Sequence, residues 1–363
     1  MPDDVMIRTK PPLRPAVPLT PVQDPALWYR RDMERPETWV HTLSATEIAD
    51  AEQAVARVEA SGLKVSDVTR REFALPRLGP VLDGIYDELI NGRGFAVIRG
   101  LPIERYTEMQ TAIAFWGIGQ YLGEPVSQNA KGHLLGHVKD LGYSRKNPGH
   151  RGYQTSEELQ FHCDSCDMTA LLCLYPAASG GVSQVMSSVA LHNEMLKRNP
   201  AWVEALSDPL YRDRRNEVPP GMPPWYVLPV FNYYEGYLTT SLAASNLRMA
   251  QRHPDVPRLT PVQLEALDMI DKIGREPELR LDFDLQRGDI ELLHNHVMLH
   301  SRTRYENFPE PERHRHLLRL WMSTPGGRPL PDGYYARYGG IRQGRRPGGI
   351  VTETTVLNVS LEA

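Results

Sequence analysis

The sequence predicts a mainly β protein with flanking helices (α+β), a β-sandwich or jelly-roll rather than a parallel βαβ fold. From about residue 125 onward, short β-rich runs follow one another, separated by turn residues and interrupted by two helical stretches. Thirty-one prolines and 28 glycines supply turns for such a chain and argue against a helical bundle. At 363 residues it can bury one large core or two modest ones. A hydrophobic share of 41% with 24% charged residues is that of an ordinary globular protein.

In chain order, residues 1–40 are proline-rich and aperiodic, which predicts an extended arm anchored by Trp28, Tyr29 and Trp39. A helix starts at the capping box Ser44/Glu47. It carries the apolar stripe Ile48, Ala51, Val55 and Val58 and can close at Gly62. A second helix is expected over about 80–91 with Leu82, Ile85, Tyr86 and Leu89 inward, leading into a strand at 94–100. A third begins near Thr107 and carries Ile113 and Trp116. Strands are expected at 134–138, 159–164, 169–175, 181–187, 227–233, 236–240, 289–293 and 314–322. The two interrupting helices fall at about 188–198 and from Thr260, where Pro261 and Gln263 complete the start signal. The tail after about 330 reads as a solvated surface segment bearing Arg337, Arg342, Arg345 and Arg346. This organisation predicts one catalytic domain over 1–363, with an arm (1–40), a helix and jelly-roll body (41–330) and a tail (331–363).

Lys and Arg number 41 against 45 Asp and Glu, a net charge of −4, so nucleic acid is not an expected partner. Cys163, Cys166 and Cys173 fall in one short segment, an odd set that does not suit a secreted disulfide framework. With no basic-then-apolar leader and no apolar run of ~20 residues, the expected location is the cytoplasm, with no membrane partner. The oligomeric state is left open, a homo-oligomer included.

The chemistry-bearing residues form a split set. In a strand, residues i and i+2 face one side, so His162 and Asp164 can point inward together while Cys163 points away. Past the apolar strand that follows Gly288-Asp289, an expected loop holds His294, His296 and His300. His300 is the favoured third ligand, because Arg302 and an arginine-bearing strand follow it; His294 is the fallback, and a role in holding the loop suits His294 and His296 better. Two imidazoles and one carboxylate can hold a metal on one face and leave its other positions open, as in non-haem iron(II) oxygenases. A rival, structural zinc on Cys163, Cys166 and His162, is disfavoured because alternation separates its ligands. The strand 315–321 places Arg315, Leu317, Arg319 and Trp321 on one face. Two inward arginines in an apolar strand require anions, and a guanidinium pairs with a carboxylate bidentately.

The ordered motifs Phe161-His-Cys-Asp164, Ser179-Gly-Gly181 with Ser183 beyond it, Gly288-Asp-Ile290, Leu299-His-Ser-Arg302 and Arg315-His-Leu-Leu-Arg319 resemble the taurine dioxygenase-like (TauD/TfdA) family over roughly residues 90–325. The resemblance implies a double-stranded β-helix, the jelly-roll of clavaminate synthase-like proteins. It implies an oxidoreductase that uses Fe(II), 2-oxoglutarate and O2 to hydroxylate an unactivated C–H bond of a small organic molecule, releasing succinate and CO2. It assigns His162, Asp164 and His300 to iron, Arg315 and Ser183 to the distal carboxylate of 2-oxoglutarate, and Arg319 to the keto-acid end or the substrate. Two departures bear on the pocket: His294-Asn-His296 stands where a pair of asparagines is expected, and residues 309–312 lengthen the gap between His300 and Arg315. Two other functions remain in view, a metal-dependent hydrolase or lyase on a jelly-roll and a non-catalytic binding protein of the same fold. The aromatic segment 223–237 is expected as core strands rather than a lid, and 128–137 can reach the site.

Overall fold

The computed structural model describes residues 7–143, 150–338, 346 and 349–362. Besides the two-residue strand Glu124–Pro125, which pairs with 322–323, eleven strands form its two principal sheets. They are β1 (Val40–Thr42), β2 (Phe95–Arg99), β3 (His133–Lys139), β4 (Leu159–His162), β5 (Met168–Tyr175), β6 (Ser183–Ser187), β7 (Arg280–Phe283), β8 (Ile290–His294), β9 (Met298–Arg302), β10 (His316–Ser323) and β11 (Asn358–Val359). The larger sheet runs β1-β2-β8-β5-β10-β3-β11, and the smaller runs β7-β6-β9-β4. From β3 to β10 successive strands alternate between the sheets apart from the paired β6 and β7, the pattern of a double-stranded β-helix, and pairing is antiparallel except at the two edges, β1–β2 and β3–β11.

Seven helices flank the sheets: α1 (Ala45–Ser61), α2 (Leu78–Asn91), α3 (Glu108–Gly119), α4 (Ser188–Arg198), α5 (Pro200–Ser207), α6 (Ala244–Ala250) and α7 (Pro261–Gly274). Capping boxes open α1 (Ser44/Glu47), α3 (Thr107/Gln110) and α7 (Thr260/Gln263), and a left-handed Gly62 closes α1. Each such cap contributes about 1 kcal/mol by satisfying otherwise orphaned amides.

Alternation along the strands sets the layers. Leu318, Leu320 and Met322 of β10, Ala170 and Leu172 of β5 and Ile290 and Leu292 of β8 pack in one core with α1, α2 and α3. The opposite faces look toward the smaller sheet. There Phe95, Val97 and Leu293 join Val185, Leu281 and Leu299 in a second core, covered by α4, α5 and α7. A small third cluster, Val138, Leu171, Cys173, Leu285 and Leu317, fills the space between sheets beside the site. The amino-terminal arm is part of the second core: Trp28 and Trp39 are buried in it, and Trp28 donates its indole N–H to the Arg93 carbonyl (3.0 Å). Tyr29 is only half-buried.

Several expectations are corrected. The run 298–302, expected as loop, is strand β9, because partners on both sides capture it. The expected strand 159–164 ends at His162, which leaves Asp164 beyond the ladder. The expected strand 227–233 is broken at Pro229 into two short strands, Trp225–Val227 and Phe231–Tyr234, the second paired with Tyr237–Thr240. Proline cannot donate to a ladder. The tail is not simply solvated: Leu330 and Tyr334 are buried, and Arg346 forms two bonds to the buried Asp167 (2.7 and 2.9 Å). Arg342 and Arg345 lie outside the described residues.

Candidate metal centre

The two sheets enclose a cavity of about 290 Å³, lined by His162, Asp164 and His300 and by Ser183, Glu291, Arg315 and Arg319. The histidines meet because β4 and β9 are adjacent and His300 stands directly opposite His162 in the ladder. Opposed side chains in an antiparallel pair are close neighbours, and the ring centroids are 4.3 Å apart. Asp164 is brought in by side chains. Its backbone N–H donates to Asn295 Oδ1 (2.9 Å), and its Oδ2 accepts from Thr169 Oγ1 (3.0 Å) and the Trp321 indole (2.8 Å). One donor atom from each of the three residues lies within 4.8 Å of the others.

This donor set fits a divalent metal. The Nδ1–H of His162 donates to the Gln160 carbonyl (2.9 Å), so Nε2 carries the free lone pair, the usual arrangement behind a ligating histidine. His300 Nδ1 is buried with no hydrogen-bond partner among the described residues. Burial, with His162 beside it, pushes His300 down to about 3, and burial lowers His162 as well, so both imidazoles are neutral. Burial opposes ionisation of Asp164, but Arg319, the two imidazoles and the Trp321 N–H together hold it well below the usual carboxylate range. Oδ2 accepts two short bonds and Oδ1 only the longer one from Arg319 Nη1 (3.4 Å), so Oδ1 is the oxygen more open to a metal.

Cys163 points into the core, as alternation requires, and its sulfur accepts the Leu242 N–H (2.9 Å). The Cys166 thiol donates to the Met168 carbonyl (3.1 Å). Burial pushes both thiols up, and among the described residues neither sulfur joins the group of potential ligands around His162. His294 bonds the Leu89 carbonyl (3.1 Å) and His296 pairs with Asp167 (2.7 Å), so both hold the loop rather than the centre.

Arg319 lies beside the three candidate ligands, 3.4 Å from Asp164 Oδ1, with its Nε donating to Gln128 Oε1 (2.8 Å) and its guanidinium over Tyr153 and Trp321. Within 128–137, Gln128 is thus the residue that lines the cavity. Arg315 lies deeper, buried, with Nη1 lacking a hydrogen-bond partner among the described residues and Tyr305 against its guanidinium. A Cβ at Gly181 (φ +72°) would sit 2.9 Å from Arg315 Nε, so glycine there makes room for this arginine. Ser183 Oγ donates to Glu291 Oε2 (2.9 Å) at the same end. Arg337, from the tail, also lines the cavity, while no described residue of 223–237 does. That aromatic segment is core: Tyr226, Leu228, Val230 and Phe231 are buried.

Sequence reasoning missed Thr169, Glu291, Asn295 and the role of Trp321, and reached Gln128 only as the first residue of the stretch 128–137. Glu291 had a signal, an acid at an inward-facing position of an apolar strand. Asn295 had none, because its function depends on a turn from another part of the chain.

A model of the family described as taurine catabolism dioxygenase TauD, TfdA family matches residues 59–321. The chain is 31% identical over 336 residues to FR-33289 synthase of Streptomyces rubellomurinus (strain ATCC 31215), covering 90% of this chain and 97% of that protein. It is 28% identical over 323 residues to a taurine hydroxylase-like protein of Stachybotrys chartarum (strain CBS 109288 / IBT 7711), covering 84% and 82%. Its fold is similar to that of asparagine oxygenase in complex with Fe(II), 2S,3S-3-hydroxyasparagine and succinate, with a TM-score of 0.60 at 19% identity over 79% of this chain and 94% of that one.

Proposed function

Since the chain belongs to the TauD/TfdA family of iron(II)- and 2-oxoglutarate-dependent dioxygenases, we propose that His162, Asp164 and His300 hold its iron, that Arg315 and Ser183 receive the distal carboxylate of 2-oxoglutarate, and that the prime substrate is a small anionic molecule. With iron bound, such a site couples decarboxylation of 2-oxoglutarate by O2 to C–H hydroxylation, giving succinate, CO2 and the alcohol. The observation that carries the assignment is the layout of one cavity. Two neutral imidazoles and a carboxylate converge at one end, and a buried guanidinium with an unsatisfied Nη1 waits at the other.

The protein's own residues do the positioning. Gln160 and Trp321 fix the donor atoms of His162 and Asp164. Arg319, held by Gln128, offers positive charge beside the metal ligands for the keto-acid end. Val138, Leu171 and Leu317 make the intervening wall apolar, which excludes water and strengthens the charge pairing at both ends. A hydrolase or lyase reading gives Arg315 no anion.

The anionic substrate class rests on charge. Arg315, Arg319 and Arg337 line the cavity, and with Arg315 and Arg319 assigned to the two ends of the co-substrate, Arg337 is a further cation beside it, whereas Arg151 is paired with Glu217. Arg337 packs beside Tyr226 and Tyr338 and is the arginine we assign to the substrate. The proposal includes a single catalytic domain and a cytoplasmic location, supported by three unpaired cysteines.

The cofactor assignment is tested by adding Fe(II) and 2-oxoglutarate without oxygen and recording the weak visible charge-transfer band of a chelated keto acid. No band at saturating ligand sinks it. Succinate release across matched anionic and neutral small molecules tests the substrate class. Arg337→Met should raise KM for the productive substrate while leaving 2-oxoglutarate affinity unchanged, and turnover confined to neutral compounds would refute the class.

A further inference from the structure

Glu291 is a glutamate on an inward position of β8, 2% exposed, in a cavity whose distal end must accept a second carboxylate. Two anions cannot share a dry site without a proton between them. We propose that Glu291 is a positioning residue that works as a neutral acid: it donates its proton to Ser183 Oγ, which turns the serine hydroxyl toward the distal carboxylate of 2-oxoglutarate and makes co-substrate binding proton-linked. The inference rests on the assignment of Arg315 and Ser183 to that carboxylate.

The geometry carries it. At 2.9 Å the Ser183–Glu291 bond accommodates either direction of donation. With Glu291 ionised, Ser183 must donate to it and can offer the co-substrate only lone pairs. With Glu291 protonated, the acid donates and the serine hydrogen is free for the ligand. The groups facing Glu291 do not neutralise it otherwise. Its ladder partners, Val97 on β2 and Leu171 on β5, are apolar, as is Phe283, which stands opposite Ser183 on β7. Asp289, immediately before β8, is already paired with Arg99 (2.8 Å). Cys173 of β5 presents a thiol that burial, against Arg315, pushes up to about 12. Two cations stand at this end: Arg302, opposite Ser183 on β9, donates to the Thr155 and Glu157 carbonyls, and Arg315 forms no ion pair with Glu291 among the described residues. Burial raises Glu291 to about 7, against the opposing pull of Ser183 and Arg315.

The sign follows. A nearby carboxylate ligand raises the Glu291 pKa further, so binding takes up a proton above pH 7 and affinity is lost as pH rises. If the bound-state value exceeds 9, uptake at pH 8 is roughly 0.8 proton per ligand, and affinity falls by at most about 25-fold between pH 6.5 and 8.5.

The test is anaerobic calorimetry of 2-oxoglutarate binding to the Fe(II)-loaded protein, in pairs of buffers with different ionisation enthalpies. Wild type should take up most of one proton at pH 8 and weaken at least fivefold by pH 8.5, whereas Glu291→Gln should bind with no uptake and less than twofold change. Retained uptake in the variant, or none in wild type, overturns the inference while leaving the cofactor reading intact. Failure of wild type to bind 2-oxoglutarate at any pH overturns that reading, and the inference with it. If the variant does not fold, wild type decides. 2-Oxopentanoate keeps the keto-acid end and lacks the distal carboxylate, so it should show no uptake of this kind; equal uptake for both ligands overturns the inference.

Discussion

Asp164 is the proposed metal ligand that the β ladder does not hold, and Asn295 takes the ladder's place. Its amide oxygen accepts the Asp164 N–H (2.9 Å), and its amide nitrogen donates to Thr169 Oγ1 (3.0 Å), which in turn donates to Asp164 Oδ2 (3.0 Å). Asn295→Ala removes both bonds at a site that is 1% exposed. The stranded backbone donor should cost about 1–3 kcal/mol of stability. Loss of support behind a ligating carboxylate should weaken metal binding by about 10–100-fold, or ~1.4–2.7 kcal/mol. Thr169→Val breaks the same chain one link later. Because the two act in one network, the double variant should lose clearly less metal affinity than the sum of the singles. The measurements are anaerobic Fe(II) titration by calorimetry and thermal unfolding of the metal-free protein. A folded Asn295→Ala protein with unchanged metal affinity would falsify the idea that this amide positions Asp164, and strict additivity would show that Thr169 acts independently.

Arg315→Ala should weaken 2-oxoglutarate binding by roughly 1.5–3 kcal/mol or more, the scale of a charged hydrogen bond; titrating the charge-transfer band checks this, and unchanged affinity would move the co-substrate site elsewhere. Gly288 has φ +84°, and a Cβ there would lie 2.1 Å from the Leu101 carbonyl oxygen, so Gly288→Ala should destabilise the fold by at least about 1–3 kcal/mol in chemical denaturation. His316 bonds His137 (2.8 Å), whose other nitrogen bonds the Ser360 carbonyl next to β11. Burial, with His137 and Lys139 nearby, holds His316 down to about 3. The unfolded chain protonates near 6.5, so stability is complete above that pH and declines as pH falls from 6.5 toward 3. Hydrogen exchange across 358–360 should accelerate over that window, and a flat profile there would refute the coupling.

Much of this was legible locally. The boxes at Ser44 and Thr260 announced two helices, because capping is a contact between residues three apart. Strand parity placed Arg315, Leu317, Arg319 and Trp321 on one face and separated Cys163 from its neighbours, because side-chain direction follows backbone period. What failed locally was strand membership at the site. Residues 298–302 carry a histidine, a serine and an arginine and read as loop, yet β4 and β6 bind them on both sides. Conversely, Asp164 reads as strand and lies outside it.

By itself the sequence determined the chemical inventory: two imidazoles and a carboxylate for a metal, inward arginines for acids, and the alternation that turns them into one interior. Only the tertiary structure decided how these meet. The Trp321 bond to Asp164 spans 157 positions, and the opposition of His300 to His162 is a matter of ladder register. Asn295 and Glu291 acquired their roles from partners far along the chain. Local periodicity encodes which way a side chain points, whereas the partner it finds is set by which strands pack together.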